Sequence, residues 1–145
     1  YNITTSTYEL LHSFQEEDGA IPLGSLLISG FNLYGVTSQG GANGVGVLFS
    51  FNYVTGTYTK LHDFESATGS SPNRGALILN EAGKLMGMTL NGGASDLGVI
   101  FEYDLDTETY TNLHDFDVMV FFWDCPFSVP LFNYSVYSVH MIPLW

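Results

Sequence analysis

Positive charge is almost absent: Lys60, Arg74 and Lys84 are the only fixed cations against 15 acidic residues, giving a formal net charge of -12. Affinity for nucleic acid rests on neutralising phosphates, so this balance excludes nucleic acid and anionic membrane surfaces as partners. Cysteine is equally scarce. Cys125 stands alone, which excludes an internal disulfide and a cysteine-based zinc site. Helical hydrophobic periodicity is missing throughout residues 1–116, and with it any reading that needs packed helices. No basic region followed by an apolar run opens the chain, so we expect Tyr1 to be a cut made inside a longer protein. The two sequons, at Asn2 and Asn133, matter only in a host that glycosylates.

What is present is repetition. Residues 33–51, LYGVTSQGGANGVGVLFSF, are written again at 85–103 as LMGMTLNGGASDLGVIFEY, with nine of nineteen positions identical. A second motif occurs three times, as TSTYELLHSF at 5–14, TGTYTKLHDF at 55–64 and TETYTNLHDF at 107–116, at spacings of 50 and 52 residues. The two extra residues of the longer period fall near Arg74 and within 80–84, and length changes of this kind mark exposed loops. With 145 residues, 46% of them hydrophobic, the chain has the material for a real core.

Each period holds four runs with strand character, expected at 25–29, 32–37, 46–53 and 57–64, and again at 76–79, 84–89, 98–104 and 109–116. Tight turns join the first to the second and the third to the fourth, while a glycine-rich loop joins the middle pair. A four-stranded antiparallel unit repeated every ~50 residues is the signature of a propeller blade, covered on both faces by its neighbours. The expected fold is therefore all-β and β-propeller-like: tandem four-stranded antiparallel blades, about two plus partial flanks, without a closed ring. Residues 1–14 read as the last strands of a preceding repeat, 15–64 as the first blade, 65–116 as the second and 117–145 as a divergent apolar tail. Prolines 126, 130 and 143 interrupt any membrane helix in that tail, and further strands are the expectation there. Gly35 and Gly87 fall inside strands, which predicts that another backbone approaches them.

The run LYGVT, the Gly40-Gly41 pair, Gly46 and Phe49, with the LHSF and LHDF stretches between copies, resemble the tandem repeat of the bacterial choice-of-anchor GloVer-containing proteins. Only Met86 departs, replacing the tyrosine in the second copy. The resemblance covers residues 1–116 and implies a secreted or surface-anchored protein of many such repeats, with no catalytic residues to carry over. Further blades of a longer parent chain, or self-association, would then complete the assembly.

The recurring His12, His62 and His114 suggest a metal ring, but strand alternation puts Tyr58, Lys60, His62 and Phe64 on one face, so we expect structural, hydrogen-bonded histidines. Adjacent residues such as His62 and Asp63 point to opposite faces and form no dyad; Ser13 in the first copy shows that the motif tolerates loss of the carboxylate. Asp104, Asp106 and Glu108 lack the glycine-centred loop of a calcium site, and no lysine or following helix makes the glycine-rich loops into phosphate cradles. No metal and no cofactor is expected. What those loops offer is polar side chains along one edge of the blades, Gln39, Asn43, Asn91, Ser95 and Asp96. We therefore expect a non-enzymatic extracellular or cell-surface module, structural or ligand-binding, with a glycan or a protein as its ligand. The alternative is a fragment of a propeller-type glycan hydrolase or lyase, which would need converging carboxylates or a metal cluster.

Overall fold

A computed structural model describes residues 4–73 and 75–117. The expected strands of the apolar tail from residue 118 onward, Cys125 and both sequon asparagines lie outside the described residues. Among the described residues no helix is long and apolar enough to cross a membrane.

The molecule is all-β. The first blade comprises β1 (Leu27–Ser29), β2 (Asn32–Thr37), β3 (Val47–Asn52) and β4 (Thr57–Asp63). The second comprises β5 (Ile78–Leu79), β6 (Lys84–Met88), β7 (Val99–Asp104) and β8 (Thr109–Asp115). Each set forms one antiparallel sheet in sequence order, an open pair of propeller-like blades. The innermost strands are shorter than expected because residues 25 and 76 leave their own sheets to meet in a parallel bridge between blades. There Gly24 is indispensable for closeness: a Cβ on it would lie 2.8 Å from the Gly75 carbonyl oxygen.

Period-two alternation sorts each strand onto two faces. Leu85, Val99, Phe101 and Tyr103 on the second blade pack against Tyr34, Val36 and Leu48 on the first, all buried in one cluster with Phe64 and Leu77. Both faces of the first blade are apolar, one packed on the second blade and the other on residues 12–14, which is why β2 and β3 carry apolar residues on both sides.

The outermost strand departs from simple alternation. In β4, Leu48 pairs with His62 and Phe49 with Lys60, leaving Leu61 as a bulge; in β8 the same shift leaves Leu113 unpaired. A bulge re-aims everything beyond it. Tyr58 and Lys60 face the preceding residues, with Tyr58 stacked on Phe49, whereas His62 and Phe64 turn to the following blade. The single-face expectation for Tyr58 through Phe64 is thus corrected: one strand serves both of its neighbours.

The consequence is a stitched seam. His62 stacks on Tyr110 with ring centres 4.0 Å apart and planes 4° from parallel, and Phe64 meets Phe101 edge-on at 5.2 Å. Residues 12–14 make the same join to the first blade, where His12 stacks on Tyr58 at 4.2 Å and Phe14 meets Phe49 at 5.1 Å. The tyrosine hydroxyls complete it, Tyr58 donating to the Asp18 carbonyl and Tyr110 to the Thr68 carbonyl. His12 and His62 are structural, but a hydrogen bond at Nε2 is not what holds them. His62 Nε2 is buried without a hydrogen-bond partner, and His12 Nε2 lies 3.1 Å from Asp18 Oδ2 without hydrogen-bond geometry. Ring stacking substitutes for it.

Burial holds the His62 imidazole below its usual range, against the opposing pull of Asp63 and Glu65. Protons therefore bind the unfolded chain more readily than the folded one, and stability must rise with pH across the interval below the unfolded pKa of 6.5. We expect the urea midpoint to be flat above about pH 7 and to fall as pH drops through about 6.5. His62→Phe, which keeps a ring to stack, should flatten that slope; an unchanged slope would remove His62 as its origin.

Candidate functional site

The glycine-rich loops join the two central strands of each blade, and their course is set by glycines that an L side chain could not replace without strain. Gly40, Gly41, Gly44 and Gly46 have φ of 77°, 80°, 73° and 110°, and Gly92, Gly93 and Gly98 repeat this at 82°, 78° and 92°. A buried threonine closes the base of each loop. The Thr37 hydroxyl donates to the Gln39 carbonyl at 2.9 Å and accepts from the Val47 amide at 3.1 Å; Thr89 does the same with Asn91 and Val99 at 2.9 and 3.0 Å. Sequence reasoning recorded these threonines as identities and missed their work.

The loop crowns are tied to the outermost strand. Asp63 Oδ1 accepts from the Ala42 amide at 2.7 Å, and Asp115 Oδ1 from the Ala94 amide at 2.9 Å. The His-Asp dipeptide thus divides its labour, the ring gripping the next blade and the carboxylate holding its own blade's loop. The first copy, with Ser13, does without this carboxylate, but where it is present, at Asp63 and Asp115, it holds the loop. Burial pushes the Asp63 carboxyl up, but hydrogen bonds from Lys60 and Ala42 outweigh this and hold it below the ordinary range.

Gly35 and Gly87 also receive a different explanation from the expected one. No second backbone approaches; instead the Phe49 ring lies across Gly35 and the Phe101 ring across Gly87, each 2.6 Å from where a Cβ would stand. The glycines make room for the aromatic that the outer-strand tyrosine and phenylalanine then cover.

The candidate residues fall into two groups. Asn43 Nδ2 donates to the Phe64 carbonyl at 2.9 Å, and Asp96 Oδ1 accepts from the Gly92 amide at 2.7 Å. These two side chains support the loop itself. Gln39 and Asn91 pair through their backbones with Ala20 and Ser70, and Gln39 and Ser95 are exposed. Gln39 further lines a surface groove of about 310 Å³ with Glu16, Ala20, Gly40, Gly41 and Gly44. Glu16, in the crossing loop, is a neighbour that sequence position alone did not bring to Gln39. Among the described residues no group of three or more His, Cys, Asp or Glu side chains is placed to hold a metal ion.

A model of the Gloeobacter/Verrucomicrobia repeat matches residues 1–122. The chain belongs to that repeat family. In this chain each copy of the Gloeobacter/Verrucomicrobia repeat carries a Gly-Gly-Ala loop stapled by threonine and aspartate, and the His-x-Phe end of the first blade grips the second. No curated protein and no solved structure matches the chain.

Proposed function

We propose that this repeat module is non-enzymatic and extracellular or cell-surface, and that it presents the loop edge of its blades to a neutral glycan or a protein. The observation that carries this reading is the groove beside Gln39, which it lines with Glu16, Ala20 and the loop glycines; Gln39, Glu16 and Gly44 are exposed there, above a buried Gly40. Amides and carboxylates on a rigid rim suit hydroxyl-rich ligands, and the net charge of -12 disfavours polyanionic ones. The rim is rigid because its threonine and aspartate staples lie beneath it.

A glycan array probed with the whole chain tests this. Gln39→Ala with Asn91→Ala removes two amides while sparing the supporting Asn43 and Asp96. At about 1 kcal/mol per lost hydrogen bond the double variant should bind roughly 30-fold more weakly. Unchanged binding would reject this edge, and no binding to any glycan would leave the protein-ligand form to be tested by the same variant against an isolated partner.

A further inference from the structure

The main chains of the two glycine-rich loops are hydrogen-bonded alike, apart from one amide. Gly41 donates to the Glu16 carbonyl at 2.7 Å and Gly93 to the Ser66 carbonyl at 2.9 Å; Gly46 donates to Gly40 at 2.9 Å and Gly98 to Gly92 at 3.0 Å. The crown turn recurs too, from Gly44 to Gly41 at 3.2 Å and from Asp96 to Gly93 at 3.3 Å. Gly40 and Gly92 hold the same left-handed backbone, at φ 77° and 82°, and both are buried. Yet the Gly92 amide donates to Asp96 Oδ1 at 2.7 Å, whereas the Gly40 amide meets no acceptor among the described residues. A single position is the cause. Gly44 stands where the second loop has Asp96, and glycine brings no side-chain oxygen.

Gly40 lines the groove shared by Gln39 and Gly44 on one side and Glu16 and Ala20 on the other. A buried donor left unmatched by its own chain is costly, and an oxygen entering the groove relieves that cost. The second loop shows where such an oxygen sits, because Asp96 Oδ1 holds that place on the equivalent amide. Charge decides its kind. Glu16, exposed on the groove, stands where the second loop has Ser66, so the loop with a carboxylate beside it is the one without Asp96. A second carboxylate on Gly40 would set like charge beside Glu16 in a chain of net charge -12. The incoming acceptor is therefore neutral. A peptide strand joins through a row of unpaired backbone groups, and here one amide is open, next to the exposed Gln39 side chain that both donates and accepts. Neighbouring hydroxyls, one on Gly40 and one on Gln39, match that pattern.

We propose that the Gly40 amide is a binding donor for a hydroxyl oxygen of a neutral glycan, and that Asp96 fills the equivalent place on the second blade with the chain's own oxygen. This rests on the loop-edge reading above and narrows it to one selecting position. Glycine at 44 leaves the loop amide open to a ligand; aspartate at 96 closes it.

Exchanging the two residues tests this, since each variant installs what the other loop already holds at that point. Asp96 adopts φ 54° and Gly44 φ 73°, and a Cβ on Gly44 meets nothing within 4 Å, so the loop accommodates Gly44→Asp. In the unliganded whole chain, amide exchange followed by NMR should slow about tenfold at Gly40 in Gly44→Asp and quicken about tenfold at Gly92 in Asp96→Gly, the worth of a hydrogen bond to a charged group. An unchanged Gly40 rate would mean that position 44 does not govern that amide, and would overturn the proposal. On an array of neutral and uronic-acid glycans the parent should bind neutral ones. Gly44→Asp should bind them about tenfold more weakly, and Asp96→Gly should take up more glycan at saturation. Neutral-glycan binding that falls in Gln39→Ala with Asn91→Ala but not in Gly44→Asp would overturn this inference and leave the loop edge standing. A preference for uronic-acid glycans, or binding to no glycan, would overturn it too.

Discussion

Gly46→Ala lowers the stability of the first blade by about 2–5 kcal/mol, the sum of a left-handed backbone imposed on an L residue and of overpacking against atoms that do not move aside. Gly46 sits at φ 110°, and a Cβ there would collide with the Thr37 carbonyl oxygen and press on Pro72 at 3.0 Å. Neither obstacle is the far end of a flexible side chain. Thr37 is fully buried and Pro72 belongs to the crossing loop that leads into the second blade, so the strain passes to the seam as well. Gly44→Ala is the internal control: its φ of 73° is also left-handed, though nearer the range an L residue adopts, as Asp96 does at φ 54° in the second copy, and nothing lies within 4 Å of the added methyl, so its cost should be no more than about 1–2 kcal/mol. Urea denaturation of the two variants checks both numbers, and equal losses would show that backbone conformation alone, without the collision, sets the cost.

The second large effect is at the seam. Phe64 is 1% exposed and meets Phe101 at 5.2 Å and Tyr110 at 5.9 Å. Phe64→Ala leaves a cavity between two rigid sheets that cannot close over it, at a cost of about 3–5 kcal/mol. The loss should fall on the coupling between blades more than on either sheet, since the ladder of β4 stops at Asp63. Amide exchange measures this directly: protection should drop in residues 64–72 and at the Tyr110 side of β8, with β2 and β3 keeping theirs. A uniform loss across both blades would mean that the pair unfolds as one cooperative unit.

Much of this architecture was legible in the sequence, because the repeat supplies its own internal alignment. LYG with its second copy LMG, two copies of GGA and three of LHxF mark the four-stranded unit, its loops and its faces, and β2, β3, β6 and β7 lie within about a residue of their expected bounds. The reading failed where a local irregularity carries the meaning. A bulge adds no residue type of its own to the pattern, so TYTKLHDF reads as plain alternation although Leu61 shifts His62 and Phe64 to the other face. The partners of those rings lie 48 residues away, at Tyr110 for His62, and 37 away, at Phe101 for Phe64, beyond the reach of local spacing. The same holds for Gly35: a glycine in a strand announces crowding but does not say whether backbone or a ring causes it. At the loop edge, sequence supplied the polar residues but not their employment. Asn43 and Asp96 are consumed by support, and only the fold brings Glu16 beside Gln39.

The threonine at the base of each loop has one more implication. By binding the carbonyl of residue 39 and the amide of residue 47, Thr37 fixes the two points where the loop leaves and re-enters the sheet, and Thr89 does so for its own loop. The crown between those anchors is held at a third point by the outermost strand, through Asp63 at Ala42 and Asp115 at Ala94. The crowns have already diverged on that footing, Asn43-Gly44-Val45 in one and Ser95-Asp96-Leu97 in the other, over nearly identical frames. The unit thus behaves as a display scaffold, in which foreign peptides grafted after Asn43 would be carried at a fixed height and orientation, and a row of blades would present a different sequence at each step.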